Sequence, residues 1–214
     1  MNSSAHPKLK LGFLASHNGS SLRAIVAAIR SGALDAEARL VISNNAGCGA
    51  LVFAEAEGLP WRHISAATEG GAEVADRAIA EAMSAAGADL IVLSGYMRPI
   101  GPETLKRFAG RILNIHPALL PRFGGKGLYG RRVHEAVAAA GDAVSGATVH
   151  VVDGDYDTGP IVAQEEVRLE PGDTPEDIER KVTAIEPALF VTTLRRIASA
   201  ELDLPRSARR PSAR

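Results

Sequence analysis

Asn114 and His116 stand two residues apart in a run whose apolar members, Ile112, Leu113 and Ile115, have the pattern of a buried strand. Side chains alternate faces along a strand, so the amide and the imidazole share one face. Pro117 has no backbone N–H to give to a ladder and stops the strand there. Ligands of open α/β sheets bind outside the carboxyl ends of strands, which is where this pair sits. An amide N–H donates to a developing oxyanion, and an imidazole moves a proton. Together they suit acyl transfer. The same spacing also fits a strand end with a solvated Asn and a structural His, so the rest of the chain has to decide.

Two further segments carry candidate chemistry. The turn at His17, Asn18, Gly19, Ser20 and Ser21 precedes a helical pattern. Gly19 permits close backbone approach, and Ser20 and Ser21 offer amides and hydroxyls at a helix N-terminus, a site for an anion such as a mononucleotide phosphate. It matches neither the P-loop nor the dinucleotide fingerprint, so neither ATP nor a dinucleotide is implied. The second segment holds Asp153, Asp155 and Asp157. Alternating aspartates suggest a calcium loop, but the required Glu does not follow, and no metal is expected. One of these carboxylates is better used to pair with His116 and favour its charged form. His150, on the preceding strand, is a second candidate for the catalytic imidazole, although a strand histidine is more often a satisfied, partly buried residue than a catalyst.

These residues must be positioned by the elements around them. The periodicity predicts strands at 9–15, 39–43, 61–64 and 89–94, and helices at 22–30, 49–57 and 74–86. A short helix starts at Pro102, and the Asn114/His116 strand follows. Residues 90–93 are continuously apolar, as a parallel strand covered on both faces should be. The alternation predicts an α/β chain with a doubly wound, mostly parallel sheet. The second half differs. A glycine-rich basic loop covers 123–132, a helix 133–140, and two strands at 148–152 and 161–166 flank the acidic loop, predicting antiparallel strands in the C-terminal half. Thr174 is placed as N-cap of the last helix, with Pro175 at its first position and Asp177 at its third. That helix is expected to be interrupted at Pro187 and to reach about Ser199.

The 214 residues suit one domain, with a flexible N-terminus at 1–8, a domain at 9–203 and a disordered basic tail at 204–214. A formal net charge of -1 supplies no global field for nucleic acid. No apolar run spans a bilayer, the N-terminus lacks a signal-peptide core, and a single cysteine fits a reducing cytoplasm.

The run from Asn114 through His116 and Pro117 to Pro121 resembles the signature of the folate-dependent formyltransferase superfamily. Four other segments agree in order and spacing. They are the turn at 17–22, the strand end at Gly95, Tyr96, Met97 and Arg98, the segment 146–150 followed by 157–160, and Ala184, Ile185 and Glu186. Together they span about residues 9 to 200, and they are most similar to the purine-biosynthesis branch of the superfamily. The resemblance implies a Rossmann-like formyltransferase fold and transfer of a formyl group from 10-formyltetrahydrofolate to the amine of phosphoribosylglycinamide. It implies that Asn114 donates to the oxyanion, His116 stabilises charge and moves a proton, and Asp157 keeps the imidazole basic. It gives the 5′-phosphate to Gly19, Ser20 and Ser21 and the ribose to Glu186. Met97, Arg98, Pro99, Ile100, Asp153 and Asp155 would line the pterin pocket. An arginine that some bacterial members carry near the helix at 74 is absent here, where Gly70, Gly71, Ala72 and Glu73 stand. Ser21 and Pro99 also depart from the commoner Asn and aliphatic residue. The implied partners are small molecules, not nucleic acid or membrane, and the chain acts as a monomer or homodimer. A formyltetrahydrofolate hydrolase, a methionyl-tRNA formyltransferase and a non-catalytic binder are the competing readings. The first two carry extra domains for which this chain has no room, and the third would not need the full Asn114, His116 and Asp157 set.

Overall fold

The computed structural model describes residues 7–204. Its strands are β1 (Leu9–Ala15), β2 (Ala36–Ser43), β3 (Trp61–His63), β4 (Leu90–Leu93), β5 (Ile112–His116), β6 (Val144–Val151) and β7 (Ile161–Arg168). They form one sheet in the order β3-β2-β1-β4-β5-β6-β7. β1 to β5 pair in parallel, while β6 runs antiparallel to β5 and β7 to β6. From β1 the chain runs outward to β2 and β3 and then crosses back to β4 on the other side of β1, a reversal of strand order that opens a crevice at the carboxyl ends of β1 and β4.

Among the described residues the helices are α1 (Ser20–Arg30), α2 (Gly49–Ala56), α3 (Ala66–Glu69), α4 (Ala72–Ala85), α5 (Pro102–Arg107), α6 (Arg131–Ala140) and α7 (Pro175–Ala198). On one face Leu11, Phe13, Val41, Val92 and Leu113 pack with Leu22 and Ile25 of α1 and Phe190 and Leu194 of α7. On the other, Leu14, Ile42, Ile91 and Ile112 pack with Ile79 and Met83 of α4 and with Phe108. Both faces are buried, which is why β4 is apolar at every position. Each buried Leu, Ile or Phe contributes roughly 1.5–3 kcal/mol. Leu22, Ile25 and Val26 lie at the spacing of one helical stripe, so burying that stripe fixes the rotation of α1 and thereby aims its N-terminus.

The mixed sheet agrees with the reading from sequence, and three local expectations need correction. α7 is continuous through Pro187. Proline removes one backbone donor, but Leu189, Phe190 and Leu194 beyond it are buried in the core and hold the second half in line. β6 begins at Val144, four residues before the expected start, because Ser145, Gly146 and Ala147 carry little strand propensity and are recruited by pairing with β7. A Cβ at Gly146 would lie 2.1 Å from the Glu165 carbonyl oxygen, so only glycine admits that approach. α3 was not expected; Ser65 and Thr68 close a capping box around its single turn. Thr174 does cap α7, accepting from the Asp177 N–H at 3.2 Å. The expected N-terminal segment and basic tail lie outside the described residues except at Pro7, Lys8 and Leu204. Among the described residues no helix is long and apolar enough to cross a membrane.

Candidate active site

β5 brings Asn114 and His116 to the sheet's exit, and β6 adds to them. In the antiparallel register Asn114 stands opposite His150, and His116 opposite Thr148. Directly opposed residues project to the same face. Asn114 Nδ2 lies 3.2 Å from His150 Nε2. Thr148 donates to the Ala118 carbonyl at 2.6 Å and accepts from the Leu120 N–H at 3.0 Å, which ties down the chain just after His116.

The loop between β6 and β7 returns a carboxylate over this face. Asp157 Oδ2 is 3.5 Å from His116 Nδ1, and Oδ1 is 3.5 Å from His150 Nε2. Oδ2 also accepts from the Gly125 N–H at 3.0 Å. Asp157 has φ 57, a left-handed conformation that Asp and Asn tolerate better than most residues. His116 Nε2 donates to the Phe123 carbonyl at 2.8 Å. Gly124 fits this closure closely: a Cβ there would push on the end of the Leu120 side chain and lie 3.2 Å from the Asp157 Cβ. The two imidazoles are buried, and the Asp157 side chain is only 13% exposed. Burial pushes the His150 pKa below its ordinary 6.5, and the nearby Asp157 carboxylate opposes this only in part. His134 of α6 is also held below 6.5 by burial, and its Nδ1 is buried without a partner.

The turn expected to take an anion lies at the exit of β1. Gly19 takes φ 65, the left-handed region, and α1 starts at Ser20. A helix leaves its first amides without intrahelical acceptors. Here Ser94 Oγ receives the Leu22 N–H, and the Ser20 and Ser21 amides lie at the turn itself. Ser20 is exposed and Ser21 is buried. Arg23 braces the turn by donating to the Asn18 and Gly49 carbonyls, each at 2.9 Å, while stacking on Phe53. Ser16 joins this exit to that of β4: its Oγ accepts from the Met97 N–H at 2.8 Å and donates to Asn44 Oδ1 at 2.6 Å.

A cavity of about 580 Å³ opens between α4 and the chain after β4. Arg98, Pro99 and Ile100 line it together with Tyr96, Ile64, Ala72, Glu73 and Asp76, so its wall is largely apolar with one cation and two carboxyl groups. Met97 is half-exposed at its edge of the crevice. Asp153 and Asp155 lie exposed in the acidic loop and do not line this cavity. Glu186 is half-buried on α7, a helix that packs against α1 and α6. Burial, with Glu179 adding repulsion, pushes its carboxyl up to about 7. Among the described residues no group of His, Cys, Asp and Glu side chains is arranged to hold a metal ion.

Reading from sequence therefore finds Asn114, His116 and Asp157 as neighbours in space. It undervalues His150 and misses the bracing by Ser16, Arg23 and Thr148. The signal for His150 and Thr148 was the two-residue alternation they share with Asn114 and His116, but it needs the strand register to be read.

A crevice at strand exits, with the glycine-serine start of a helix on one side and an amide beside a carboxylate-paired imidazole on the other, has the make-up of an α/β enzyme of the acyl-transfer class. Residues 9–194 match the family described as Formyl transferase, and the chain belongs to that family. It is 39% identical over 183 residues to "Phosphoribosylglycinamide formyltransferase, chloroplastic" of Arabidopsis thaliana, an alignment covering 85% of this chain and 63% of that protein. The chain thus spans less than two thirds of that plant relative's length. Among solved structures, glycinamide ribonucleotide transformylase 1 from Symbiobacterium toebii superposes with a TM-score of 0.85 at 35% identity, covering 92% of this chain and 91% of that one. A formyltetrahydrofolate deformylase from Pseudomonas syringae superposes with a TM-score of 0.80 at 26% identity, over 90% of this chain and 62% of that one.

Proposed function

We propose that this chain transfers the formyl group of 10-formyltetrahydrofolate to the primary amine of 5′-phosphoribosylglycinamide, a step in purine biosynthesis. The observation that carries the reading is that Asn114 and the Asp157-paired His116 lie at the carboxyl edge of the parallel strands, the edge that also holds the Gly19 turn, with β4 between them, in a chain whose relatives are named for this reaction. A cavity of about 580 Å³ with largely apolar walls fits a flat aromatic co-substrate, a carboxylate end of which would have to meet Arg98 rather than Glu73 or Asp76 on the same lining. When bound, the folate supplies the formyl carbon as electrophile and a nitrogen as leaving group. Arg98, Pro99 and Ile100 hold it, with Met97 beside them; Asp153 and Asp155, exposed on the acidic loop outside that lining, are given no part in the grip. Gly19, Ser20 and Ser21 hold the phosphate at the positive end of α1, and Glu186 takes the ribose hydroxyls.

Asn114 donates an N–H to the formyl oxygen as it becomes an oxyanion. His116 places positive charge beside that oxygen and passes a proton toward the departing nitrogen. Asp157 stabilises the imidazolium by charge and orients the ring. The scheme needs no metal, and it uses small-molecule partners rather than nucleic acid or membrane, with the chain acting as a monomer or homodimer. A cytoplasmic location belongs to the same proposal, although the plant relative is named chloroplastic.

The test is incubation with 10-formyltetrahydrofolate, with and without phosphoribosylglycinamide. Turnover that requires the amine supports the proposal. Formate release without the amine would make the chain a hydrolase, the activity named for one structural neighbour, and no turnover in either arm would make it a binder.

A further inference from the structure

We propose that His150 is a positioning residue that sets which edge of the Asn114 amide faces the reacting centre. The inference rests on the function proposed above for its consequence, but its geometry stands apart from it. His150 is 2% exposed and opposes Asn114 directly across the β5–β6 ladder. Its Nδ1 lies 3.1 Å from the Val151 carbonyl oxygen. A carbonyl only accepts, so Nδ1 carries the ring proton. Burial disfavours a second proton, against the pull of Asp157 and, more weakly, Asp153, while His116 disfavours it further. Nε2 is therefore a lone-pair acceptor. Its neighbours are the Asp157 carboxylate at 3.5 Å, which has no proton to give, and the Asn114 amide at 3.2 Å. The amide alone can donate.

This settles the amide's orientation by chemistry. With Nδ2 toward His150, one amide N–H is engaged and the second remains, in the same plane, for another acceptor. Turned over, Asn114 would set Oδ1 against the Nε2 lone pair and show the reacting centre an edge that His150 no longer fixes. A formyl oxygen gaining negative charge needs a donor held in place before it arrives. His150 supplies that preorganisation without touching the substrate.

Two measurements test this. In uniformly ¹⁵N-labelled full-length protein near neutral pH, long-range ¹H–¹⁵N correlation should show the His150 ring neutral and protonated at Nδ1, with cross-relaxation from the Asn114 side-chain NH₂. A ring protonated at Nε2, or at both nitrogens, would overturn the proposal whatever the chain's activity. In the formyl-transfer assay, His150→Phe should lower kcat about 30–100-fold with KM for both substrates within about twofold, as expected for a mispositioned oxyanion donor. His150→Gln, whose side-chain oxygen accepts, should recover about tenfold of that loss. The Asn114→Ala/His150→Phe double variant should be no slower than Asn114→Ala alone, because the two residues act as one unit. Additive losses would show that His150 acts independently of Asn114. If His150→Phe fails to fold, the tautomer measured in the unaltered protein decides alone, and a chain without transferase activity would sink the proposed function while leaving that measurement valid.

Discussion

Asp157→Asn isolates charge from shape. Asparagine matches aspartate in size and tolerates the left-handed backbone found at this position. Its side-chain oxygen still accepts the Gly125 N–H, so the acidic loop keeps its anchor. What disappears is a negative charge 3.5 Å from one nitrogen of His116 and 3.5 Å from one of His150. At the effective dielectric that describes partly buried pairs, a unit charge and an imidazolium at this separation attract by about 5 kcal/mol. Water reaches part of the carboxylate, and the substituted amide returns some of the interaction as a dipole, so roughly 3 kcal/mol is lost when His116 becomes positively charged in the transition state. Each 1.4 kcal/mol or so is a factor of ten in rate, which makes the expected fall in kcat about 100-fold. The assay is steady-state formyl transfer at saturating concentrations of both substrates, beside thermal melting to establish that the variant is folded. Asp153→Asn and Asp155→Asn serve as controls, because both side chains are exposed on the same loop and should change kcat by no more than about threefold. A folded Asp157→Asn with kcat within about threefold of the unaltered chain would refute the role given to its charge. Equal losses in all three variants would show that the loop's overall charge, not this carboxylate, is what matters.

Other outcomes follow from the same geometry. Gly19→Ala adds a Cβ at φ 65 and 3.1 Å from the Ala50 Cβ, at a backbone cost of about 1–2 kcal/mol, so KM for the ribonucleotide should rise about tenfold while KM for the folate holds; equal rises would make the turn merely structural. The Glu186 carboxyl is raised from 4.5 to about 7, so between those values the folded chain keeps a proton the unfolded chain has released, and stability falls as pH rises through that window. Glu186→Gln should therefore raise Tm at pH 8 more than at pH 5, by about 2–4 °C for each kcal/mol relieved, and a shift equal at both values would contradict this. Residues 123–130 are expected to form a lid: their amides should exchange quickly in the free chain and slowly with both substrates bound, except that Gly125, held by Asp157, should already be protected. Exchange unchanged by ligand across the segment would leave it a plain connection.

How much of this was readable from sequence depended on whether a feature is local. The apolar run of β4, the Thr174, Pro175 and Asp177 start of α7, and the Gly19 turn each declare themselves within a few residues, because strand burial, helix capping and positive φ are local requirements. The continuity of α7 was not readable, because Pro187 is a local breaker overruled by the distant burial of Phe190 and Leu194. Nor was the early start of β6, where small residues are extended only because β7 pairs with them.

The same distinction runs through the site. Asn114 and His116 are two residues apart, and strand alternation alone sets them side by side. Asp157 is separated from them by a helix and a strand, and what singled it out was resemblance rather than spacing. His150 shows what was missing. Once β6 is known to run antiparallel to β5, fixing one opposed pair fixes all of them, and a slip of one residue would turn every side chain to the other face. Thr148, which ties Ala118 to Leu120, is one such anchor: with Thr148 opposite His116, His150 must stand opposite Asn114. A hydroxyl that braces the loop after the site thus also brings a histidine to the amide. Thr148→Val, nearly equal in volume but unable to make either bond, should therefore reduce kcat through loosened placement of His116 and Asn114, while KM for the ribonucleotide, which the proposal assigns to the Gly19 turn between β1 and α1, should hold. A fall in nucleotide affinity as large as the fall in kcat would mean that the two halves of the site are not separately positioned.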